Sequence, residues 1–140
     1  MLSKPKYGWC RVSISSWEDR GSYLDDIPVR LLLALQTVLL EHKSAGVLFD
    51  AEGYEYTIEF FPDEVKIETC TEDDEIVTRV FDIPAYYLAS ELIRDIRRDI
   101  DEWVMWPPTS DEPWFDAVAR RKELNTYCDI IEKLLPKTFS

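Results

Sequence analysis

From Trp9 to Ser15 the chain alternates, with Cys10, Val12 and Ile14 on one side and Trp9, Arg11 and Ser13 on the other. A period of two marks a half-buried strand. Trp17 to Asp25 is polar and contains Gly21, which reads as a loop. Asp26 then offers a helix N-cap, and Pro28 falls near the first helical position, where its missing N–H does no harm. The run from Val29 to Lys43 is apolar around most of its circumference. A helix over 27–43 is therefore expected to be covered on two sides. Gly46 is placed to end it.

A run of strands follows. Val47 to Ala51 is short, and Glu52-Gly53 reads as a turn. In Tyr54 to Phe61, Tyr54, Tyr56, Ile58 and Phe60 face a core while Glu55, Thr57 and Glu59 face out. Pro62-Asp63 turns the chain again. In Val65 to Thr71, Val65, Ile67 and Thr69 face in, and Lys66, Glu68 and Cys70 face out. Glu72 to Glu75 is a charged turn. Ile76 to Ile83 reads as a fourth meander strand, with no facing that the pattern decides. One face of this meander is wet.

Pro84 opens a helix over 85–104, with an apolar stripe of Leu88, Leu92, Ile96, Ile100 and Trp103. Arg94, Asp95, Arg97, Arg98, Asp99 and Asp101 fill its other face. Trp106 to Pro113 reads as a rigid loop, because its prolines cannot continue the helix. A last helix over 114–135 carries an imperfect stripe of Phe115, Val118, Leu124, Tyr127, Ile131 and Leu134, interrupted by the basic run Arg120-Arg121-Lys122. That run reads as a solvated face paired with Asp116 and Glu123. The expected fold class is α+β: a single domain, 1–140, with an antiparallel meander of four to five strands on three helices, in the order β-α-β-β-β-β-α-α.

Composition narrows the class. A chain of 140 residues with 46% apolar and 13% aromatic content has enough material for a packed core. The start, Met1 to Lys6, is basic but no apolar segment follows, so no secretory signal is expected. The longest apolar run, Leu31 to Leu35, is too short to span a bilayer. A cytoplasmic location is the expectation. Cys10, Cys70 and Cys128 are odd in number and widely spaced, which fits neither a disulfide framework nor a paired metal site. The lone His42 reads as a helix C-terminal residue.

Catalytic signatures do not emerge. The four glycines never cluster into a phosphate loop, and the metalloprotease, CxxC and nucleophile-elbow patterns do not occur. Glu55 and Glu59 on one sheet face could hold a metal or act as a carboxylate pair. A solvated strand face explains them more simply. No catalytic residue, metal or cofactor is expected.

Charge is the most informative feature. Between Asp50 and Glu75 eleven acids stand against the single Lys66, leaving −10 of the whole chain's −12. Alternation puts these acids on a sheet surface rather than a tail. Such a surface attracts a basic protein and repels nucleic acid. The expected docking residues are Asp50, Glu52, Glu55, Glu59, Glu68, Glu72, Asp73 and Asp74. Tyr54 and Trp106 are added as aromatic anchors, Trp106 because it precedes two prolines and is expected to be exposed.

Size, acidity and this architecture together resemble the immunity proteins of bacterial toxin–immunity pairs, including contact-dependent inhibition and related polymorphic toxin systems. The resemblance covers the whole chain and no motif carries it. It implies a non-enzymatic monomer that binds a cognate toxin, often a nuclease with a basic cleft, and occludes it. Type III secretion chaperones are also small and acidic. They would imply a dimer binding an extended effector segment, but their helix–strand order differs from the one read here.

Overall fold

Trp17 to Ser22, the segment expected to be a loop, is a strand, and it decides how the N-terminal third folds. In a computed structural model describing residues 1–137, β1 (Trp9–Ile14) and β2 (Trp17–Ser22) form an antiparallel hairpin. The last three residues of the expected 1–140 span lie outside the described residues. Cys10, Val12 and Ile14 are buried as expected. Their partners across the hairpin are Gly21, Asp19 and Trp17. That inward row holds one large apolar side chain, so no alternation announced it. Gly21 is required there: a Cβ would stand 2.3 Å from Cδ1 of Ile27 and 2.9 Å from Sγ of Cys10.

Helix α1 (Ile27–Glu41) follows, with Asp26 as N-cap and proline in its first turn. The Asp26 side chain makes no cap bond and is held instead by Arg120. The helix ends at His42, in the left-handed region at φ 55°. Gly46 therefore does not end it; Gly46 lies inside the next strand. As its apolar circumference required, α1 contacts strands as well as helices.

The meander has the expected order. β3 (Ala45–Asp50), β4 (Glu55–Phe60), β5 (Val65–Cys70) and β6 (Ile76–Phe81) form one antiparallel sheet in sequence order. Val47, Phe49, Tyr56, Ile58, Phe60, Val65 and Ile67 are buried on its inner face, with α1 packed against β3 and β4. The fold class is α+β, with six strands among the described residues divided between two sheets.

The expected helix 85–104 is broken at Asp99 into α2 (Ala85–Arg98) and α3 (Ile100–Val104). Pro108 to Asp111 form a single 3-10 turn. The last helix, α4 (Ala117–Leu134), starts three residues later than expected because Asp116 caps it, accepting from the backbone N–H of Ala119 at 3.0 Å. Its buried stripe is Leu124, Cys128 and Ile131, while Val118 is exposed. The buried apolar residues form one cluster drawn from the hairpin, sheet and helices. No helix among the described residues is long and apolar enough to cross a membrane.

Three charged groups depart from the sequence reading. Asp95 is buried and accepts from the backbone N–H of Leu2 at 3.0 Å and from Arg98 at 3.1 Å. Asp99 is buried and paired with Arg98 at 2.9 Å. Arg120 is buried against Asp26 rather than solvated beside Asp116 and Glu123. Asp95 and Arg120 lie on the inner sides of their helices because a partner from another segment meets each of them there.

Candidate functional site

Register builds the outer face of the four-stranded sheet. Leu48, Thr57 and Glu68 stand across from one another on successive strands, followed by Thr78. Gly46, Glu59, Lys66 and Val80 make the neighbouring row on one side. Asp50, Glu55, Cys70 and Ile76 make the row on the other. Glu55, Glu59 and Glu68 thus share one face, as alternation about the Pro62-Asp63 turn required.

The acids are not neutralised by one another's surroundings. Lys66 is the only base in these rows, and its ammonium reaches Glu68 at 3.0 Å. The hydrogen bond from Lys66 to Glu68 holds the ammonium pKa above its ordinary value. Asp50 stands directly across from Glu55. Like charges directly opposite one another destabilise a sheet. Among the described residues, neither Asp50, Glu55 nor Glu59 has an ion-pair partner. The face therefore keeps a cost in stability that a cationic partner would relieve.

Two depressions mark the surface. A cleft of about 320 Å³ is lined by Asp50, Tyr54, Glu55, Cys70, Glu72 and Asp74, with Gly53 and Thr71. A smaller one of about 190 Å³ is lined by Gly46, Thr57, Glu59, Lys66 and Glu68. The acidic turn beside the first is ordered by Thr71, whose carbonyl accepts from Asp74 N–H at 3.0 Å and whose hydroxyl accepts from Glu75 N–H at 3.2 Å. Asp74 adopts φ 60° there. Asp73 is exposed at the turn without lining the cleft.

Three expected docking residues stand differently. Glu52 is tied to the N-terminal hairpin: its carboxylate accepts from Ser22 Oγ at 2.8 Å, and Arg20 donates to its carbonyl at 3.3 Å. Tyr54 lines the cleft, but its hydroxyl donates to Asp19 and Arg20 lies 5.2 Å above its ring. Desolvation, reinforced by that hydrogen bond to Asp19, raises the phenol pKa to about 12. Trp106 is only 5% exposed; its indole N–H donates to the Asp25 carbonyl at 2.8 Å and its ring meets Trp103 at 5.1 Å. The prolines after it turn the chain outward and leave the indole beneath. Trp114, 69% exposed, is the most exposed tryptophan among the described residues.

The pattern placed β6 as a strand but decided no facing for it. Ile76, Val77 and Val80 are all exposed, and they occupy both faces of the strand. The signal was present in Ile-Val-Thr-Arg-Val-Phe, which carries apolar residues at both parities and so points to no single buried face.

The three thiols differ in a way that can be measured. Burial pushes the Cys10 thiol pKa up to about 12 and that of Cys128 up to about 11. Cys70 is half-buried on the acidic face. Thiolate is the reacting form. At pH 8 the folded protein is expected to take up one equivalent of iodoacetamide, at Cys70, and all three thiols are expected to react in urea. Peptide mapping checks this; modification of Cys10 at the rate of Cys70 would contradict the packing of the hairpin.

Among the described residues no three His, Cys, Asp or Glu side chains are grouped so that they could hold a metal ion. Compared with known proteins, the chain matches no family model, no curated protein and no solved structure.

Proposed function

We propose that this chain is a non-enzymatic binding protein, an immunity protein that neutralises a cognate basic toxin by covering it with the outer face of the sheet. The observation that carries this reading is a set of acids without ion-pair partners among the described residues, Asp50, Glu55 and Glu59, held in two rows of one sheet face beside the ordered turn Glu72 to Glu75. Fixed like charges of this kind speed encounter with a cationic partner and discriminate against others. Glu68 contributes less than Glu59, since Lys66 already satisfies it. The protein acts in the cytoplasm as a monomer, without nucleic acid, membrane or cofactor.

The test pairs the chain with the toxin-domain product of an adjacent reading frame. Association is expected to slow steeply as salt rises, because screening shortens the field to about 8 Å at physiological ionic strength. Changing Glu55, Glu59 and Glu68 together to Gln is expected to weaken binding and to abolish protection of toxin-expressing cells. Removing one desolvated charge pairing costs on the order of 2 kcal/mol, while neutralising a rim charge mainly slows association. The fold is expected to survive, since like charges are being removed. Asp95 and Asp99 cannot serve as the charge-matched control, because both are buried. Asp111, Glu112 and Glu123 are exposed and can. If that control triple loses the toxin while the sheet triple keeps it, the docking face lies elsewhere.

A further inference from the structure

The four-stranded sheet has two edges, and they are finished differently. At the β3 edge, Ala51 N–H donates to Tyr54 C=O, which makes 51 and 54 a hydrogen-bonded pair. Such pairs alternate along an antiparallel ladder, so the backbone groups of Gly46, Leu48 and Asp50 turn away from β4. Side chains meet Leu48 and Asp50 there. Arg30 Nη1 donates to Leu48 C=O at 2.6 Å, and Asp50 N–H donates to Asp25 Oδ2 at 2.8 Å. Asp25 and Arg30 pair at 3.1 Å, and Arg20 donates to Ala51 C=O at 2.8 Å. From Leu48 to Ala51 this edge is closed.

The same argument opens the other edge. Thr71 N–H donates to Glu75 C=O at 2.8 Å, so the backbone groups of Ile76, Thr78 and Val80 turn away from β5. The sheet ends at β6, and among the described residues nothing pairs with those groups. Ile76, Val77 and Val80 are 69%, 49% and 53% exposed. The strand pairs with β5 one to one over six residues, without a bulge, and contains neither proline nor lysine. Edges left unpaired are normally blunted by such devices. Only Arg79, on the face opposite the acids, works against addition of a strand.

Charge decides what fits. The edge runs between the acidic turn Glu72 to Glu75 and Asp82, with Glu68 one strand behind it. A second copy suits it poorly. Antiparallel self-pairing centred on Thr78, which matches all the outward groups, sets Asp74 against Asp82 of the other copy at both ends. It also joins two chains of −12 each. A basic strand meets the opposite situation at every one of these positions.

We propose that β6 accepts an extended segment of the basic partner as a fifth strand of this sheet, with lysine or arginine at alternate positions on the acidic face and β-branched residues between them. This is strand addition, in which main-chain bonds supply affinity and alternate side chains supply selectivity. The outward N–H and C=O groups of Ile76, Thr78 and Val80 form the ladder. Long basic side chains reach past Thr78 towards Glu68, and those at the ends meet Asp74 and Asp82.

The inference rests on the proposed function, and the experiment separates the two. The first ligand is a ten-residue peptide alternating lysine with valine or threonine; its partners are the glutamate version and a lysine version N-methylated at alternate residues. Only the unmethylated lysine peptide is expected to bind and to slow amide exchange at Ile76, Thr78 and Val80 at least tenfold. Thr78→Pro and Val80→Pro each remove one outward N–H and leave the bonds to β5, a substitution edge strands tolerate. Either variant, melting as the parent does, is expected to bind the peptide at least tenfold more weakly. Equal binding of the methylated peptide, or parental affinity in both proline variants, overturns the inference. So does exchange protection at β6 without peptide together with a dimer mass, which would mean self-pairing. With the toxin itself, full neutralisation by both proline variants overturns the strand addition and leaves the acidic face standing. Indifference of the toxin to the Glu55, Glu59 and Glu68 changes overturns the reading beneath it.

Discussion

Replacing Ile58 by aspartate is expected to lower stability by about 4 kcal/mol or more, through burial of an uncompensated charge. Ile58 is fully buried in β4, an interior strand, with Val47 and Ile67 directly across from it on either side. The substitution removes the transfer energy of the isoleucine, roughly 2 kcal/mol, and forces a carboxylate either to stay protonated or to open the sheet. No cation stands on that face of β4 or β5: Lys66 points the other way, and Arg79, in the same row, lies two strands away on the exposed edge strand. Urea unfolding followed by far-ultraviolet circular dichroism reads the change. Thr57→Asp, one residue away on the wet face, is the matched comparison and is expected to cost well under about 1 kcal/mol beyond its added repulsion with Glu68. Equal midpoints for Ile58→Asp and the parent would mean that the register of β4 is inverted, because a slip of one residue exchanges the two faces.

The second large effect is expected at Arg120. Its guanidinium grips both oxygens of Asp26, at 2.7 and 2.9 Å, and donates to the Trp103 carbonyl at 3.2 Å. Three segments meet at this one side chain: the start of α1, the end of α3 and the first turns of α4. Arg120 is 7% exposed. Arg120→Met keeps much of the aliphatic volume but leaves a carbonyl and a carboxylate without their donor. Breaking a buried pair in this way costs about 3–5 kcal/mol. Because Asp26 retains access to water, which screens it, a loss of about 2–3 kcal/mol is expected. Arg120→Met combined with Asp26→Asn is expected to recover part of that loss, since the second change removes the stranded charge. Strict additivity of the two in urea unfolding would show that the pair contributes nothing as a pair.

These two residues show how differently parts of the chain could be read. Ile58 was legible because its environment is written in its neighbours: Glu55, Thr57 and Glu59 alternate with Tyr56, Ile58 and Phe60, and the two sets part to opposite faces wherever the strand lies. The acidic face was legible for the same reason, as was the order of the meander, whose connections at 51–54, 61–64 and 71–75 close neighbouring strands. Arg120 was not. It lies in a basic run that looks solvated, and its partner is 94 residues away. The same holds for Asp95, whose partner Leu2 comes from the other end of the chain, and for Trp106, whose indole is held by the Asp25 carbonyl. β2 escaped because its inward positions are Trp17, Asp19 and Gly21, chosen for fit against Ile27 and Tyr54 rather than for hydrophobicity.

By itself, then, the order of residues determined what depends on near neighbours. Period-two alternation set the two faces of β4 and β5, the apolar helix stripes set α1 and α2, and the density of acids set the sign of the surface. Only the tertiary structure decided which charges are spent inside and which edge of the sheet is closed. Those outcomes depend on pairs of groups brought together across the fold, where desolvation makes a partner obligatory. Asp25 and Arg30 close one edge of the sheet because the start of α1 lies beside β3. Among the described residues no segment pairs with β6 on its outer side, and so Ile76, Thr78 and Val80, unremarkable as letters, are the residues left with backbone to offer.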